Sequence, residues 1–276
     1  QLARLFAAEI SRDLNQTVVV ENVAGAGTTL GTEKVANGAA DGYQILMSTA
    51  TTTINDSLRK SLRYKTSDLT PVITLAAMPM VLMVNTESPI KTVQDLLDRA
   101  RKSPPLSYGS AGPGSVGQLT MESLQQKAGI KLTHIPFKGS APSVNAMVGG
   151  HVDIAADTIM LAKPLIAGNR VRAIALSTPT RSNALPDVPT VGESGVPGFA
   201  TSAWWGIAVK TGTPEAIIQQ LNTAFKKALQ KPDIQNKLTG DGFQIIGDSP
   251  AEAQKFFNED IGIMGEAIRA SGVTVE

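Results

Sequence analysis

A glycine-rich segment near the middle of the chain constrains the fold and the chemistry more than any other stretch. Residues 106–117 read LSYGSAGPGSVG, and a helical apolar pattern follows them. A short strand therefore leads through a tight turn into a helix start. Such a turn directs backbone N–H groups toward one point, where the helix dipole adds partial positive charge. We expect either a site for a small anion, with hydroxyls from Ser110 and Ser115, or a turn that needs glycine for backbone geometry alone.

The composition limits the chemistry that the chain can perform. Its 276 residues allow one large domain or two ordinary ones, and the hydrophobic content of 42% supplies a core. A net charge of +1 and an aromatic content of 4% argue against a nucleic-acid partner. The absence of cysteine excludes disulfides and thiolate chemistry. The two histidines lack the spacing of a metal site, and we expect no metal, no cofactor and no catalytic residue.

A dinucleotide site is the main alternative use of the same glycines. Residues 112–117 fit the pattern G-x-G-x-x-G between a predicted strand and a predicted helix. The next predicted strand, which ends near Ile135, has no Asp or Glu at its end to hold a ribose. We therefore expect no dinucleotide here.

Predicted strands and helices alternate along the chain, which is typical of an α/β fold with mostly parallel sheets. The apolar patterns predict a helix over residues 2–14, a buried strand over 17–21 and a second strand over 44–48. The threonine-rich residues 49–55 follow as a loop. Because ligands gather at the carboxyl ends of parallel strands, this loop is either a wall of a binding site or an ordinary cap for the next helix.

Two chain crossings divide the sequence into an outer lobe and an inserted lobe. They fall near the two prolines at 104–105 and near residues 202–204. The predicted outer lobe (domain 1) comprises residues 1–102 and 205–276, and the inserted lobe (domain 2) comprises residues 103–204. Two α/β lobes joined in this way are expected to leave a ligand cleft between them.

An ordered set of short motifs extends over nearly the whole chain. In order they are VVEN at 19–22, GAG at 25–27, ADGY at 40–43, IN at 54–55, YGSAGPGS at 108–115, HIPFKG at 134–139, VD at 152–153, LPDVPT at 185–190, ESG at 193–195, WG at 205–206 and GTP at 212–214. Each motif is weak alone, but the ordered set is specific. It resembles the Bug-type extracytoplasmic solute receptors, which are the substrate-binding proteins of tripartite tricarboxylate transporters.

The resemblance implies a two-lobed fold of the type II periplasmic-binding-protein kind and a function without catalysis. Such a receptor closes its lobes on a small carboxylate-bearing solute: a dicarboxylate, an aromatic carboxylate or an amino acid. It then delivers the solute to permease subunits in the membrane. We expect a periplasmic monomer with its signal peptide removed. The alternative is a binding subunit that serves a signalling partner, and an enzyme on the same scaffold is a less favoured reading.

The resemblance also implies which residues bind the ligand. One wall, from the outer lobe, comprises Ser48, Thr49, Ala50 and Thr51. The inserted lobe contributes a glycine-rich loop, a turn and a strand end, namely Ser110, Ala111, Gly112, Gly114, Ser115, Lys138, Gly139 and Asp157. Phe137 stands where the family usually has a tyrosine. Asp157 is either a ligand-selecting side chain or a helix N-cap for the turn at residues 158–161.

The start of the sequence departs from the family pattern. The family places a strand and a proline- and glycine-rich loop before the first helix, whereas this sequence begins within that helix. We expect the chain to begin inside the first element of a longer protein. Without the preceding segment the outer lobe would lack one strand and the site would lack one wall.

Overall fold

Helices and strands alternate along the described part of the chain, as the sequence predicts. The computed structural model describes residues 2–23, 25–102 and 104–275. In chain order its helices and strands are α1 (Leu2–Leu14), α2 (Thr29–Ala36), β1 (Ile45–Thr49), α3 (Ala50–Leu58), β2 (Leu69–Asn85), α4 (Val93–Ala100), β3 (Ser107–Ser110), α5 (Val116–Ala128), β4 (Thr133–Pro136), α6 (Ser140–Val148), β5 (Ile154–Thr158), α7 (Ile159–Ala167), β6 (Val171–Leu176), β7 (Ser202–Lys210), α8 (Glu215–Leu229), α9 (Pro232–Gly240), β8 (Gln244–Ile245) and α10 (Pro250–Ser271).

The chain separates into two compact units. Unit 1 comprises the chain up to Ala77 together with Trp204–Gly262, and unit 2 comprises Met78–Ala203 and Ile263–Val275. Strand β2 and helix α10 each contribute residues to both units. The sequence places the first crossing at 104–105 instead, because a crossing inside a continuous strand leaves no loop signal to read.

Unit 1 is built on the first half of β2. The strand order is β1-β7-β2-β8, with β1 antiparallel to β7 and β8 antiparallel to β2. Apolar residues of α1 and α8 pack against these strands in one core, which includes Ile10 and Val72. Phe6 of α1 and Phe225 of α8 meet there with ring centroids 5.8 Å apart. The sheet of this unit therefore buries one face under two amphipathic helices.

Unit 2 is built on the second half of β2 and holds a mixed sheet. The strand order is β6-β2-β5-β3-β4. Strand β2 runs antiparallel to β5 and β6, whereas β3 runs parallel to both β4 and β5. The prediction of mostly parallel sheets is therefore wrong. The alternation of strands and helices does not reveal that β2 enters this sheet in the opposite direction from its neighbours.

Residues 17–21, predicted as a strand, do not form one. Val19 is 80% exposed, and no strand is assigned to this stretch. A cavity of about 860 Å³ lies beside it, lined in part by Phe6, Ile45 and Phe225. Within the described residues β1 is the terminal strand of the order, and no strand pairs with residues 17–21. An apolar run forms a strand only where a neighbour pairs its backbone groups.

The threonine-rich residues 49–55 form the start of α3, so the prediction of a loop is wrong. Thr49 is the N-cap, and its backbone N–H donates to Thr52 Oγ1 at 3.2 Å. Thr53 Oγ1 lies 2.8 Å from the carbonyl oxygen of Ala50. Hydroxyls that bond the backbone of their own turn suit a helix start, which explains why threonines are concentrated here.

Candidate functional site

Unit 2 gathers three of the predicted site segments at one edge of its sheet. Ser110 is the last residue of β3 and pairs with Pro136, the last residue of β4. Strand β5 runs parallel to β3 and ends with Asp157 and Thr158. Parallel strands present their carboxyl ends at the same edge, where α/β proteins bind ligands. The glycine-rich loop, the turn after β4 and Asp157 therefore lie at that edge.

Two backbone hydrogen bonds join the glycine-rich loop to the turn after β4. The Phe137 N–H donates to the carbonyl of Ser110 at 3.0 Å, and the Gly139 N–H donates to the carbonyl of Ala111 at 3.1 Å. Gly139 is the N-cap of α6 with a φ of 113°, a backbone conformation that favours glycine. Lys138, which is exposed, is thereby held beside the loop.

Three backbone amides of the loop, those of Gly112, Gly114 and Ser115, are bonded within unit 2. The Gly112 N–H donates to Ser110 Oγ at 3.1 Å, and the Ser115 N–H donates to the Gly112 carbonyl at 3.1 Å. The Gly114 N–H donates to Gln118 Oε1 at 2.7 Å. These three amides are therefore not free to bind an anion. They fix the shape of the loop instead.

Ser115 begins α5 and has a hydroxyl that can serve a ligand. It is the N-cap, and its Oγ accepts a hydrogen bond from the Gln118 N–H at 3.4 Å. Among the described residues this hydroxyl has no acceptor for its own proton, and it lies at the positive end of the helix dipole. The helix start also lies against β5, because a Cβ at Gly117 would come within 2.4 Å of the Ala156 carbonyl oxygen.

A buried polar network around His134 of β4 supports the glycine-rich loop. His134 Nε2 lies 2.7 Å from Ser110 Oγ, and His134 Nδ1 lies 3.4 Å from Gln118 Nε2. The imidazole stacks on Tyr108 with ring centroids 4.8 Å apart. Burial lowers the pKa of His134 and so favours the neutral ring. A neutral ring protonated on Nε2 accepts from the Gln118 amide and donates to Ser110, so His134 is a support for the loop.

Asp157 is a nearly buried carboxyl at the end of β5. Only 7% of the residue is exposed. Its Oδ1 accepts a hydrogen bond from the Thr158 N–H at 2.7 Å and lies 3.3 Å from the Thr158 hydroxyl. The N-cap of α7 is Thr158, so the alternative role of Asp157 as a helix N-cap is wrong. A carboxyl in this setting is stabilised by further donors, and a ligand can supply one.

In unit 1 the predicted ligand wall lies where β1 passes into α3. Ser48 is buried and pairs with Gly206 of β7. Ala50 is buried, whereas Thr49 and Thr51 are half-buried in the first turn of α3. This junction therefore combines hydroxyls with the positive end of a nine-residue helix.

Reasoning from sequence missed Gln118, the residue that holds the loop most directly. A signal was present, since residues 115–118 read SVGQ and fit the capping-box pattern S-x-x-Q. The structure contains the first half of that pattern, in which the Gln118 N–H bonds the Ser115 hydroxyl. The Gln118 side chain, however, reaches past Ser115 to the Gly114 amide.

The polar groups at these two places are suited to non-covalent binding. They are hydroxyls, an exposed lysine and one nearly buried carboxyl. The described residues contain no group of His, Asp and Glu side chains that could hold a metal ion. No helix in the described ranges is long and apolar enough to cross a membrane. Groups of these types can bind a carboxylate through hydrogen bonds and charge.

The two α/β units and the loop at the strand ends define a class, the two-lobed periplasmic solute-binding proteins, which strong structural matches support. Within that class, the family model described as Tripartite tricarboxylate transporter family receptor matches residues 2–273. The chain therefore belongs to this receptor family. The resemblance to Bug-type receptors is confirmed.

Individual relatives agree with this assignment. The BugT protein of Bordetella pertussis is 30% identical over 279 residues, which cover 100% of this chain and 86% of BugT. A structure of an R. palustris protein with adipate matches with 32% identity and a TM-score of 0.79, covering 99% of this chain and 92% of the other. MatC from Rhodopseudomonas palustris with bound malate has 32% identity and a TM-score of 0.76, covering 97% and 93%.

Proposed function

We propose that this protein is a periplasmic receptor that captures a small linear dicarboxylate for the permease subunits of a tripartite tricarboxylate transporter. The observation that carries the proposal is the family match over residues 2–273. Adipate and malate, the ligands of the two R. palustris proteins, are both aliphatic dicarboxylates. They favour that class over aromatic carboxylates and amino acids.

We assign the contact with one ligand carboxylate to unit 2. The Ser115 hydroxyl donates to a carboxylate oxygen, and the exposed ammonium of Lys138 supplies the opposite charge. Asp157 accepts a hydrogen bond from a hydroxyl or a protonated acid on the ligand and so selects among solutes. Ala111 contributes a main-chain contact, and Gly139, whose N–H donates to the Ala111 carbonyl, holds the turn in shape.

The other residues of the predicted site divide between shaping and contact. Ser110, Gly112 and Gly114 shape the loop, because their polar groups are used within it. In unit 1, we assign the hydroxyls of Thr49 and Thr51 as donors to a carboxylate, with the chain at Ser48 and Ala50 behind them. The dipole of α3 favours an anion at this place.

Binding without turnover is the expected mode of action. The hydroxyls, lysine and carboxyl of the proposed site replace the water around the solute and release it unchanged. A binding subunit for a signalling partner has the same site and differs only in the protein that it contacts. Co-purification with membrane subunits of the transporter distinguishes these two roles, and conversion of the bound solute would contradict both.

The direct test is thermal unfolding of the receptor with a panel that includes malate, adipate, an aromatic dicarboxylate and an amino acid. A ligand at a hundred times its dissociation constant stabilises the folded state by about 2.7 kcal/mol. For a protein of this size we expect the melting temperature to rise by roughly 5–10 °C with an aliphatic dicarboxylate. A panel in which no carboxylate raises it would overturn the proposal.

A pair of lysine variants separates site binding from general charge attraction. Lys138 and Lys131 are both exposed and flank strand β4 at its two ends. We expect Lys138→Ala to weaken dicarboxylate binding by about 1 kcal/mol or more, since it removes a charged hydrogen-bond donor. The control Lys131→Ala keeps the affinity of the parent protein. Equal losses in both variants would count against the assigned site.

A further inference from the structure

Helix α10 carries a buried carboxyl that the proposed binding site does not use. Asp260 is 6% exposed. Its Oδ2 accepts a hydrogen bond from Trp204 Nε1–H of β7 at 2.9 Å. The same oxygen lies 2.5 Å from Thr53 Oγ1 of α3. All three residues belong to unit 1, so one carboxyl oxygen links three of its elements.

The Thr53 hydroxyl has two oxygen neighbours and one proton. Its Oγ1 lies 2.8 Å from the Ala50 carbonyl oxygen as well as 2.5 Å from Asp260 Oδ2. A hydroxyl donates only once, and a carbonyl can only accept. If Asp260 is ionised, Thr53 must donate to it and the Ala50 carbonyl loses this partner. If Asp260 is protonated, it donates to Thr53, and Thr53 donates to Ala50.

Burial determines which arrangement holds near neutral pH. Loss of hydration raises the pKa of Asp260 to about 6, while the hydrogen bonds from Thr53 and Trp204 act in the opposite direction. Charged groups on the same elements are engaged elsewhere: Asp56 of α3 accepts from Thr66, and Glu259 of α10 pairs with Lys255.

Two further charged groups that flank this helix and strand have their own partners. Lys210 at the end of β7 pairs with Asp68 at 3.7 Å. Glu252 in the first turn of α10 bonds the Ser249 hydroxyl and backbone. In the described part of the chain no ion pair involves Asp260. Its protonation therefore depends on its own burial and its two hydrogen-bond partners.

We propose that Asp260 is a positioning residue for the ligand wall at residues 48–51, and that its ionisation weakens carboxylate binding there. The proposal rests on the proposed function, because it takes that wall as part of the ligand site. Thr53 is in the same helical turn as Ala50, and Ala50 lies within the wall. Protonation of Asp260 thus completes a hydrogen-bonded chain from α10 through Thr53 to the wall.

Charge and geometry act in the same direction. The ionised carboxylate adds a negative charge beside the first turn of α3, where the helix dipole would otherwise favour a ligand anion. It also draws the Thr53 proton away from the Ala50 carbonyl and loosens that turn. Both effects lower carboxylate affinity as the pH rises through the pKa of Asp260.

The test compares Asp260→Asn, which cannot ionise, with Glu259→Gln, which removes one exposed acid from the neighbouring position of α10. Affinity for malate and for adipate is measured by calorimetry at pH 5.5 and 7.5. The neutral fraction of an acid with a pKa of about 6 falls by about 25-fold over this range, which is the upper limit of the effect. Between pH 5.5 and 7.5, we expect the affinity of the parent and Glu259→Gln proteins to fall by a factor about 3- to 25-fold larger than the affinity of Asp260→Asn.

Two readouts without ligand keep this inference separate from the proposed function. In a Trp205→Phe background, Trp204 emission should show a transition near pH 6 that Asp260→Asn abolishes. Amide hydrogen exchange of residues 48–56, corrected for intrinsic rates, should be faster at pH 7.5 than at pH 5.5 only when Asp260 is present. Equal exchange in the parent and Asp260→Asn proteins would overturn the positioning role. If no dicarboxylate binds but exchange responds as expected, the proposed function fails and the coupling through Thr53 stands.

Discussion

Replacing Gln118 by alanine is the most direct test of how the glycine-rich loop keeps its shape. The residue is 3% exposed, and its Oε1 accepts the Gly114 N–H at 2.7 Å. Its amide nitrogen lies 3.4 Å from His134 Nδ1. The alanine variant leaves the half-buried Gly114 N–H without its acceptor and removes a buried side chain, which together cost about 1–3 kcal/mol. The loop of the variant is also less ordered. If the loop is the ligand wall, binding must restore its order, and this cost lowers the affinity.

Gln125 provides a matched control on the same helix. Its Oε1 accepts the Leu132 N–H at 2.7 Å, so Gln125→Ala removes the same kind of bond at the far end of α5. We expect both variants to melt at a lower temperature, by about 4–8 °C for a loss of about 2 kcal/mol. Only Gln118→Ala should also weaken dicarboxylate binding, by about fivefold or more, which corresponds to about 1 kcal/mol.

Thermal unfolding and calorimetry with malate or adipate measure the two effects on the same samples. An affinity for Gln118→Ala equal to that of Gln125→Ala, at a comparable loss of stability, would refute the role of the loop as a ligand wall. An unchanged melting temperature in Gln118→Ala would refute the hydrogen bond itself.

Three further predictions concern the same region. Ser115→Ala should cost about 1 kcal/mol of stability through the lost N-cap and should weaken carboxylate binding as well, whereas Ser115→Thr should restore both in melting and titration experiments. Gly117→Ala should destabilise by about 2 kcal/mol or more because its Cβ would lie 2.4 Å from the Ala156 oxygen, while Gly240→Ala, which has open space around it, should not lower the melting temperature. Because burial lowers the folded-state pKa of His134, the stability due to its neutral ring should be fully present above about pH 6.5 and lost as the pH falls below that value; a His134→Asn variant should have a flatter melting profile from pH 7.5 to 5, and an equally steep profile would contradict this.

Helix starts that depend on a few neighbouring residues could be predicted from the sequence. The pair Thr92 and Asp95 fits the capping-box pattern of a helix start, and the Thr92 N–H donates to Asp95 Oδ2 at 3.0 Å. Ser249 and Glu252 likewise mark the start of α10, with the Ser249 N–H donating to Glu252 Oε2 at 2.9 Å. Such caps depend only on the local chain, so a short pattern determines them.

Features that depend on distant partners could not be predicted in the same way. The apolar residues 17–21 have strand composition, but no strand in the described part of the chain pairs with them. Residues 70–75 and 81–84 have the composition of two separate strands, but they belong to one continuous strand, β2, which includes Pro79. It continues because the next residue, Met80, donates its N–H to the Ser177 hydroxyl at 3.0 Å, a partner far along the chain.

The candidate site shows the same division. The sequence indicated the position of the glycine-rich loop and the hydroxyl of Ser115, since both follow from turn and helix-start patterns. It did not indicate that Gln118 and His134 occupy the polar groups of the loop. Their role depends on how β4 is placed beside β3, where Tyr108 pairs with His134, and sequence spacing does not reveal such a contact.

The shared strand β2 determines how this protein loses its structure. Residues 69–77 of that strand pair in unit 1, and residues 78–85 of the same strand pair in unit 2. If either unit unfolds, the shared strand loses its partners in that unit. Because no linker separates the two halves of the strand, the pairing in the other unit is weakened as well. Unfolding should therefore be one cooperative event, in which the tryptophan signal of unit 1 and the amide-exchange protection of β3 in unit 2 disappear together.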